Sequence, residues 1–279
     1  MEDLSLPDWA AEASRTIVVD GIATHYFDLG EGPCLFLIHG GGPGADSWGN
    51  WYALMREYAR KFRVIAYDMP GFGRSAKPSP ELYPYDQASR NRHLIALIEA
   101  LAPGPVSLIG NSMGGATALG VGIVRPDLVA KLVLMGSAGL AVNNSDSSAK
   151  DALRQYDYTL EGMRTVMRTL GGSHFRIDED VLCYRDALMQ DPAARKAISV
   201  IVRSDLTYPE AAIAEVKVPT LVVAGKEDKI SVPERNVRFL ELLENSWGFF
   251  VPYVGHWVMI EASEIFLNVT SLFLARDWD

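Results

Sequence analysis

Short apolar runs of strand length recur along this chain, each bounded by Gly, Pro or Asp, with stretches of helical period between them. That alternation marks an α/β protein with a mostly parallel sheet, whose strands are apolar on both faces. Runs at 34–38, 63–67, 106–109, 131–135 and 220–224 predict buried strands, and 248–254 a last one. Segments 16–19 and 22–27 flank Asp20-Gly21, a pair with hairpin chemistry, so the first two strands are expected to be antiparallel. Helices are expected at 48–60, 87–101, 113–125, 233–243 and 262–275.

The alternation breaks between about Leu140 and Ile213, where the polar run 143–148 opens a stretch of helical period without a convincing strand. It reads as a helical insertion, dividing the chain into a first core part at 1–139, the insertion at 140–213 and a second core part at 214–279. Leu160, Met163, Met167 and Leu170 fall on one helix face, which is read first as the insertion's own core.

Composition narrows the partners more than the fold. A chain of 279 residues with 48% hydrophobic content buries roughly 75% of its unfolded surface, so neither disulfides nor metals are needed to hold it. Lys+Arg of 26 against Asp+Glu of 35 leaves a net charge of −9, which argues against nucleic acid or an anionic membrane as the main partner. Cys34 and Cys183 lack the paired spacing of a zinc or redox motif. Acidic Glu2 and Asp3 stand where a signal peptide needs basic residues, so the expected compartment is the cytoplasm, and the sequons at Asn143 and Asn268 are then silent. The weakly polar stretch 106–124 contains Asn111, Ser112 and Thr117, and reads as a strand followed by a helix rather than a membrane span.

The candidate chemistry starts at Gly110-Asn111-Ser112-Met113-Gly114, a G-x-S-x-G between a predicted strand and a predicted helix. Small flanking residues allow a tight turn that lifts the hydroxyl above the sheet edge. A serine hydroxyl needs a base. Of His25, His39, His93, His174 and His256, only the last two follow the serine, and His174 lies in the insertion, so His256 is the expected base. His25 and His93 are read as structural. Asp228, just after the strand 220–224, is placed to orient His256, with Glu227 its main competitor and Asp205 a distant one. Asp68 precedes the serine and is read as a turn cap. The loop His39-Gly40-Gly41-Gly42-Pro43-Gly44 offers bare amides, and the expected oxyanion donors are the N–H of Met113 and that of Gly41 or Gly42. No Gly-Lys-Ser/Thr follows, so a phosphate loop is not indicated.

Serine, acid, histidine and glycine loop in this order resemble an α/β-hydrolase. The resemblance implies a mostly parallel eight-stranded sheet flanked by helices, with a helical lid between strands six and seven. The glycine loop, the elbow continued through Gly115-Ala116-Thr117, the run Leu134-Met135-Gly136-Ser137-Ala138-Gly139 and Gly255-His256-Trp257 together resemble the meta-cleavage product hydrolases, most closely the carbazole-pathway type. That resemblance implies hydrolysis of a carbon–carbon bond in a 2-hydroxy-6-oxohexa-2,4-dienoate, a small-molecule partner, and a homodimer or larger assembly; no spacing in the sequence implies a metal or organic cofactor. It also implies that Asn111, Arg185 and Trp257 bind the dienoate end, Arg185 as a fork for carboxylate and 2-oxo group. Arg185 without the resemblance reads as a solvated helix arginine, and Arg176 and Arg203 compete with it. A carboxylesterase or lactonase with the same triad, and a ligand receptor on the same fold, are the alternatives. Tyr156, Tyr158, Met163, Phe175 and Tyr184 are candidates for the distal pocket.

Overall fold

The computed structural model describes residues 5–142 and 148–276, so the sequon at Asn143 lies outside them, as do the acidic residues at the N-terminus. The eight expected strands form one sheet: β1 (Ser14–Val19), β2 (Ile22–Leu29), β3 (Cys34–Ile38), β4 (Arg63–Tyr67), β5 (Val106–Asn111), β6 (Val129–Met135), β7 (Thr220–Gly225) and β8 (Ser246–Val251). Their order is β1-β2-β4-β3-β5-β6-β7-β8. β1 and β2 pair antiparallel through Asp20 and Gly21, whose φ angles of 53° and 73° match a tight hairpin turn. β2 runs antiparallel to β4 as well, and every pairing from β4 to β8 is parallel. All six residues of β5 and of β7 are buried, as the continuous apolar runs predict.

The helices α2 (Ser47–Tyr58), α3 (Gln87–Leu101), α4 (Met113–Val124), α10 (Pro233–Leu242) and α12 (Ser263–Ala275), the last preceded by the single turn α11 (Val258–Glu261), lie close to their predicted spans. A short α1 (Asp8–Ala13) was not foreseen; its Trp9 packs on Trp48, with ring centroids 5.5 Å apart. The run 106–124 divides into β5 and α4, and among the described residues no helix is long and apolar enough to cross a membrane. β8 begins two residues earlier than expected and stops at Val251 because Pro252 has no N–H for the ladder.

Between β6 and β7 the described residues contain helices α5 (Ser148–Arg154), α6 (Leu160–Leu170), α7 (Glu179–Leu188), α8 (Pro192–Ile201) and α9 (Glu210–Ala214), and no strand. The buried face of α6 is Met163, Val166, Met167 and Leu170, so Val166 takes the place expected for Leu160, which sits in the first turn and is 43% exposed. α9 packs on α4 and α10, helices of the core.

Strand β3 is the point where the sheet changes direction of growth: it lies between β4 and β5, the strands that follow it. Ligand crevices form outside the carboxyl ends of strands at such a point. Register makes this concrete. Ile38 pairs with Gly110, and Asn111 with Met135, so the turns after β3, β5 and β6 emerge side by side.

Candidate active site

The turn after β5 is forced by its glycines. A Cβ at Gly110 would lie 2.3 Å from the carbonyl oxygen of Gly114, and one at Gly114 2.4 Å from those of Ile38 and His39. Ser112 between them has φ 55° and ψ −116°, a conformation L residues rarely adopt, held because its N–H donates to Met135 O (3.0 Å) and its carbonyl accepts from Ala116 N and Ala138 N (3.0 Å each). The strain aims the hydroxyl out of the sheet. Met113 follows as the first residue of α4, where the helix presents unpaired N–H groups to an anion.

Asp228 and His256 meet in the loops after β7 and β8. Asp228 Oδ1 accepts from the N–H groups of Ile230 and Ser231, both at 2.8 Å, and Oδ2 lies 2.8 Å from His256 Nδ1. An ionised carboxylate can only accept, so Nδ1 carries the proton and Nε2 is left as a base. Room for the pair is made by Gly136 (φ 50°), where a Cβ would stand 3.1 Å from Asp228 Oδ2 and 3.2 Å from His256 Nδ1. His256 and Ser112 line the same cavity. Among the described residues no hydrogen bond joins their side chains, as is common before a substrate tightens such a site. Glu227 is turned away, accepting from the N–H (2.6 Å) and hydroxyl (3.0 Å) of Ser173. His174 is stacked on Tyr253 at 4.7 Å.

His39 shapes the glycine loop. Its Nδ1 donates to Gly40 O (2.7 Å) and its Nε2 accepts from Met69 N (2.9 Å), and burial brings its pKa down to about 4, so it stays neutral. Gly41 closes on Met113, where a Cβ would lie 2.7 Å from Sδ. Amides of the glycine loop thereby come beside the start of α4.

Arg185, on α7, is 1% exposed, not solvated. One Nη2 donates to Pro43 O (2.7 Å), the guanidinium lies over the Trp257 ring at 5.0 Å, and Nε has no partner among the described residues. Burial lowers its pKa to about 10, leaving it charged near neutrality. Arg176 and Arg203 are exposed. Asn111, also buried, donates to Met135 O (3.3 Å) and accepts from Asn50 Nδ2 (3.2 Å).

Residues 33–263 match the family model of the alpha/beta hydrolase fold. Over its whole length the chain is 43% identical to a 2-hydroxy-6-oxo-6-(2′-aminophenyl)hexa-2,4-dienoic acid hydrolase of Metapseudomonas resinovorans, 96% of which is covered. A solved meta-cleavage product hydrolase of Pseudomonas fluorescens matches with TM-score 0.88 at 27% identity, over 95% of this chain and 98% of that one. The chain belongs to the α/β-hydrolase fold family, among the meta-cleavage product hydrolases. A solved serine hydrolase involved in carbazole degradation gives TM-score 0.86 and 43% identity, over 94% of this hydrolase and 98% of that chain.

The hydrolase's cavity has a volume of about 250 Å³ and brings Ser112, His256, Met113, Gly41, Gly42, Asn111, Arg185 and Trp257 together. The expected distal residues Tyr156, Tyr158, Met163, Phe175 and Tyr184 are not among those lining it; Leu140, Leu153, Leu170, Ile201 and Ile230 are. Met163 is buried in the insertion's own packing instead, and Phe175 lines a neighbouring cavity of about 530 Å³ that meets the first at Arg185 and Trp257.

Two positioning groups carried no motif. Glu261 accepts from Gly172 N (2.8 Å), Gly255 N (3.1 Å) and Trp257 N (3.3 Å), tying the His256 loop to the insertion, and His256 N itself donates to Leu170 O (2.7 Å). Tyr184, beside Arg185, donates to buried Asp46, the N-cap of α2, and accepts from Arg74 (3.1 Å). Burial, with Asp68 nearby, raises the Asp46 carboxyl to about 6. Asp68 caps its turn by accepting from Arg74 N (2.8 Å), as read from sequence, but also holds Ser47 (2.8 Å to its N–H) and His25 Nδ1 (2.9 Å). His93 Nε2 bonds Thr24 (3.0 Å), a structural role like that of His25.

Proposed function

We propose that this hydrolase cleaves the bond between carbons 5 and 6 of a 2-hydroxy-6-oxohexa-2,4-dienoate bearing an aryl group at carbon 6, releasing 2-hydroxypenta-2,4-dienoate and an aromatic carboxylic acid. The observation that carries this reading is a serine hydroxyl, a carboxylate-oriented imidazole and a buried guanidinium with an unpaired N–H on one cavity. The whole-length likeness to a hydrolase named for the 6-(2′-aminophenyl) compound supports it.

Arg185 grips the planar carboxylate and 2-oxo oxygen, with Asn111 and Trp257 completing that subsite. This stabilises the keto form: the 2-hydroxyl loses its proton and carbon 5 gains one, creating an electron sink. Ser112 Oγ adds to carbonyl carbon 6 as His256 Nε2 takes its proton, Asp228 steadying the imidazolium. The N–H of Met113 and that of Gly41 or Gly42 hold the oxyanion, each donor contributing on the order of 3 kcal/mol. Collapse breaks the bond between carbons 5 and 6. Its electron pair spreads to the 2-oxygen as a dienolate, which takes a proton from His256. Water, deprotonated by His256, releases the acid from Ser112.

Mixing the protein with 6-phenyl and 6-(2-aminophenyl) dienoates should bleach their yellow dienolate absorbance. Ready hydrolysis of p-nitrophenyl esters with no bleaching of any dienoate would replace this reading by a carboxylesterase or lactonase. Assembly as a homodimer or larger in the cytoplasm completes the proposal, and sedimentation and cell fractionation test it.

A further inference from the structure

The cavity carries cations at two places. One is Arg185, whose nearest ionisable groups are the Asp46 carboxyl and the neutral phenols of Tyr156 and Tyr184. The other is Lys150, Arg154 and Arg235, which line the same cavity alongside Leu140, Leu153 and Ile230. Lys150 and Arg154 are four residues apart on one face of α5, and Arg235 rises from the first turn of α10.

Arg235 is buried, and among the described residues no carboxylate pairs with it; Nε donates to Leu140 O (2.9 Å) and Nη1 to Ile230 O (3.1 Å). Carbonyls orient a guanidinium without neutralising it. Lys150 is half-buried and has no carboxylate partner among the described residues. Burial first, then Arg235 and Arg154, push its ammonium down, so these charges oppose one another across the cavity wall. Arg154 is exposed and already meets Asp151 at 3.4 Å, so the weight falls on Lys150 and Arg235. Of the other anions nearby, Asp228 faces His256, and exposed Asp205, which also lines the cavity, accepts from the N–H (2.9 Å) and hydroxyl (2.8 Å) of Thr207. Like charges gathered on a partly desolvated wall are costly unless a ligand brings the opposite charge.

We propose that Lys150 and Arg235, with Arg154 beside them, form an anion subsite on the cavity that Arg185 also lines, and that the preferred substrate carries a second acidic group on its carbon-6 substituent. This rests on the dienoate reading above. The dienoate carboxylate is then held by Arg185, the ketone by the Ser112 site and the added anion by Lys150 and Arg235, so one substrate engages both cationic groups of the cavity.

The test compares the full chain on two dienoates that differ only at carbon 6, one phenyl and one 3-carboxyphenyl, at low ionic strength. The acidic compound should show kcat/KM about tenfold higher, mainly through KM, with the advantage shrinking as salt is added. Lys150→Met should reduce that ratio to within about twofold. Equal kcat/KM for the two compounds overturns the subsite, and so does a parallel fall of both rates in Lys150→Met at an unchanged ratio, which marks a structural role. If neither dienoate is cleaved, the reaction assigned above fails. The subsite is then decided by binding: benzene-1,3-dicarboxylate should bind about tenfold tighter than benzoate, and equal affinities overturn it.

Discussion

The sheet edge and the helical insertion above it contribute to one cavity by different physical means. The edge places Ser112, Asp228 and His256 on turns whose positions follow from strand register, with glycines where any Cβ would collide. The insertion holds the Arg185 side chain by contacts of individual side chains: Tyr184 on Asp46, the guanidinium on Pro43 O, the ring of Trp257 beneath it. A site half built from register and half from side-chain anchors should lose chemistry when the first is cut and alignment when the second is.

The largest effect is expected at the edge. Ser112→Ala should leave the yellow dienolate bound while turnover falls by about 10⁴-fold or more; near-normal turnover would remove Ser112 from the nucleophile's role. On the insertion side, Arg185→Ala should lower kcat by about 10²-fold if the guanidinium drives ketonisation. A change confined to KM would reduce it to a tether. Gly114→Ala tests the register argument directly: the added Cβ meets two carbonyls, so denaturant unfolding should show a loss of about 2–3 kcal/mol. Tyr184→Phe should cost about tenfold in kcat/KM for the dienoate while ester turnover by Ser112 changes little. Equal losses on both substrates would make Tyr184 a general structural residue.

The smallest effect concerns pH. Asp46 is raised to about 6, so the folded state keeps a proton that the unfolded chain releases near pH 3.9, and this group's contribution to stability falls as pH rises from about 4 to 6. His39, lowered to about 4, acts oppositely: the unfolded chain binds a proton near 6.5 that the folded state refuses, so stability rises with pH across that window. Asp46→Asn removes the first contribution. Tm should then climb more steeply with pH between about 4 and 6.5 than in the wild type, by a few degrees overall. Identical slopes would show that Asp46 does not titrate there.

The same contrast explains what could be read before the structure. Strands β3, β4, β5 and β7 were legible because strands covered on both faces are apolar throughout, which leaves an uninterrupted run in the sequence. β8 was displaced because it is an edge strand with exposed Phe249, and no such run marks its ends. In the insertion the helical period was visible but its direction was not: Leu160 faces solvent and Val166 the core, a choice made by what packs against α6. Glu261 and Asp46 were invisible as positioning groups, since each is a lone carboxylate that ties its own segment to a distant one, Glu261 to Gly172 and Asp46 to Tyr184.

Local chemistry in the chain determined the turns and the residues they expose: glycines at 110, 114 and 136, a serine between tight neighbours, an acid and a histidine after successive strands. A turn's geometry is decided by the few residues that make it. Only the tertiary structure decided that Arg185 is buried over Trp257 rather than solvated, and that Lys150, Arg154 and Arg235 share a wall with Ser112. Those contacts join segments far apart in the chain, and desolvation and charge act through space, where sequence order carries no distance.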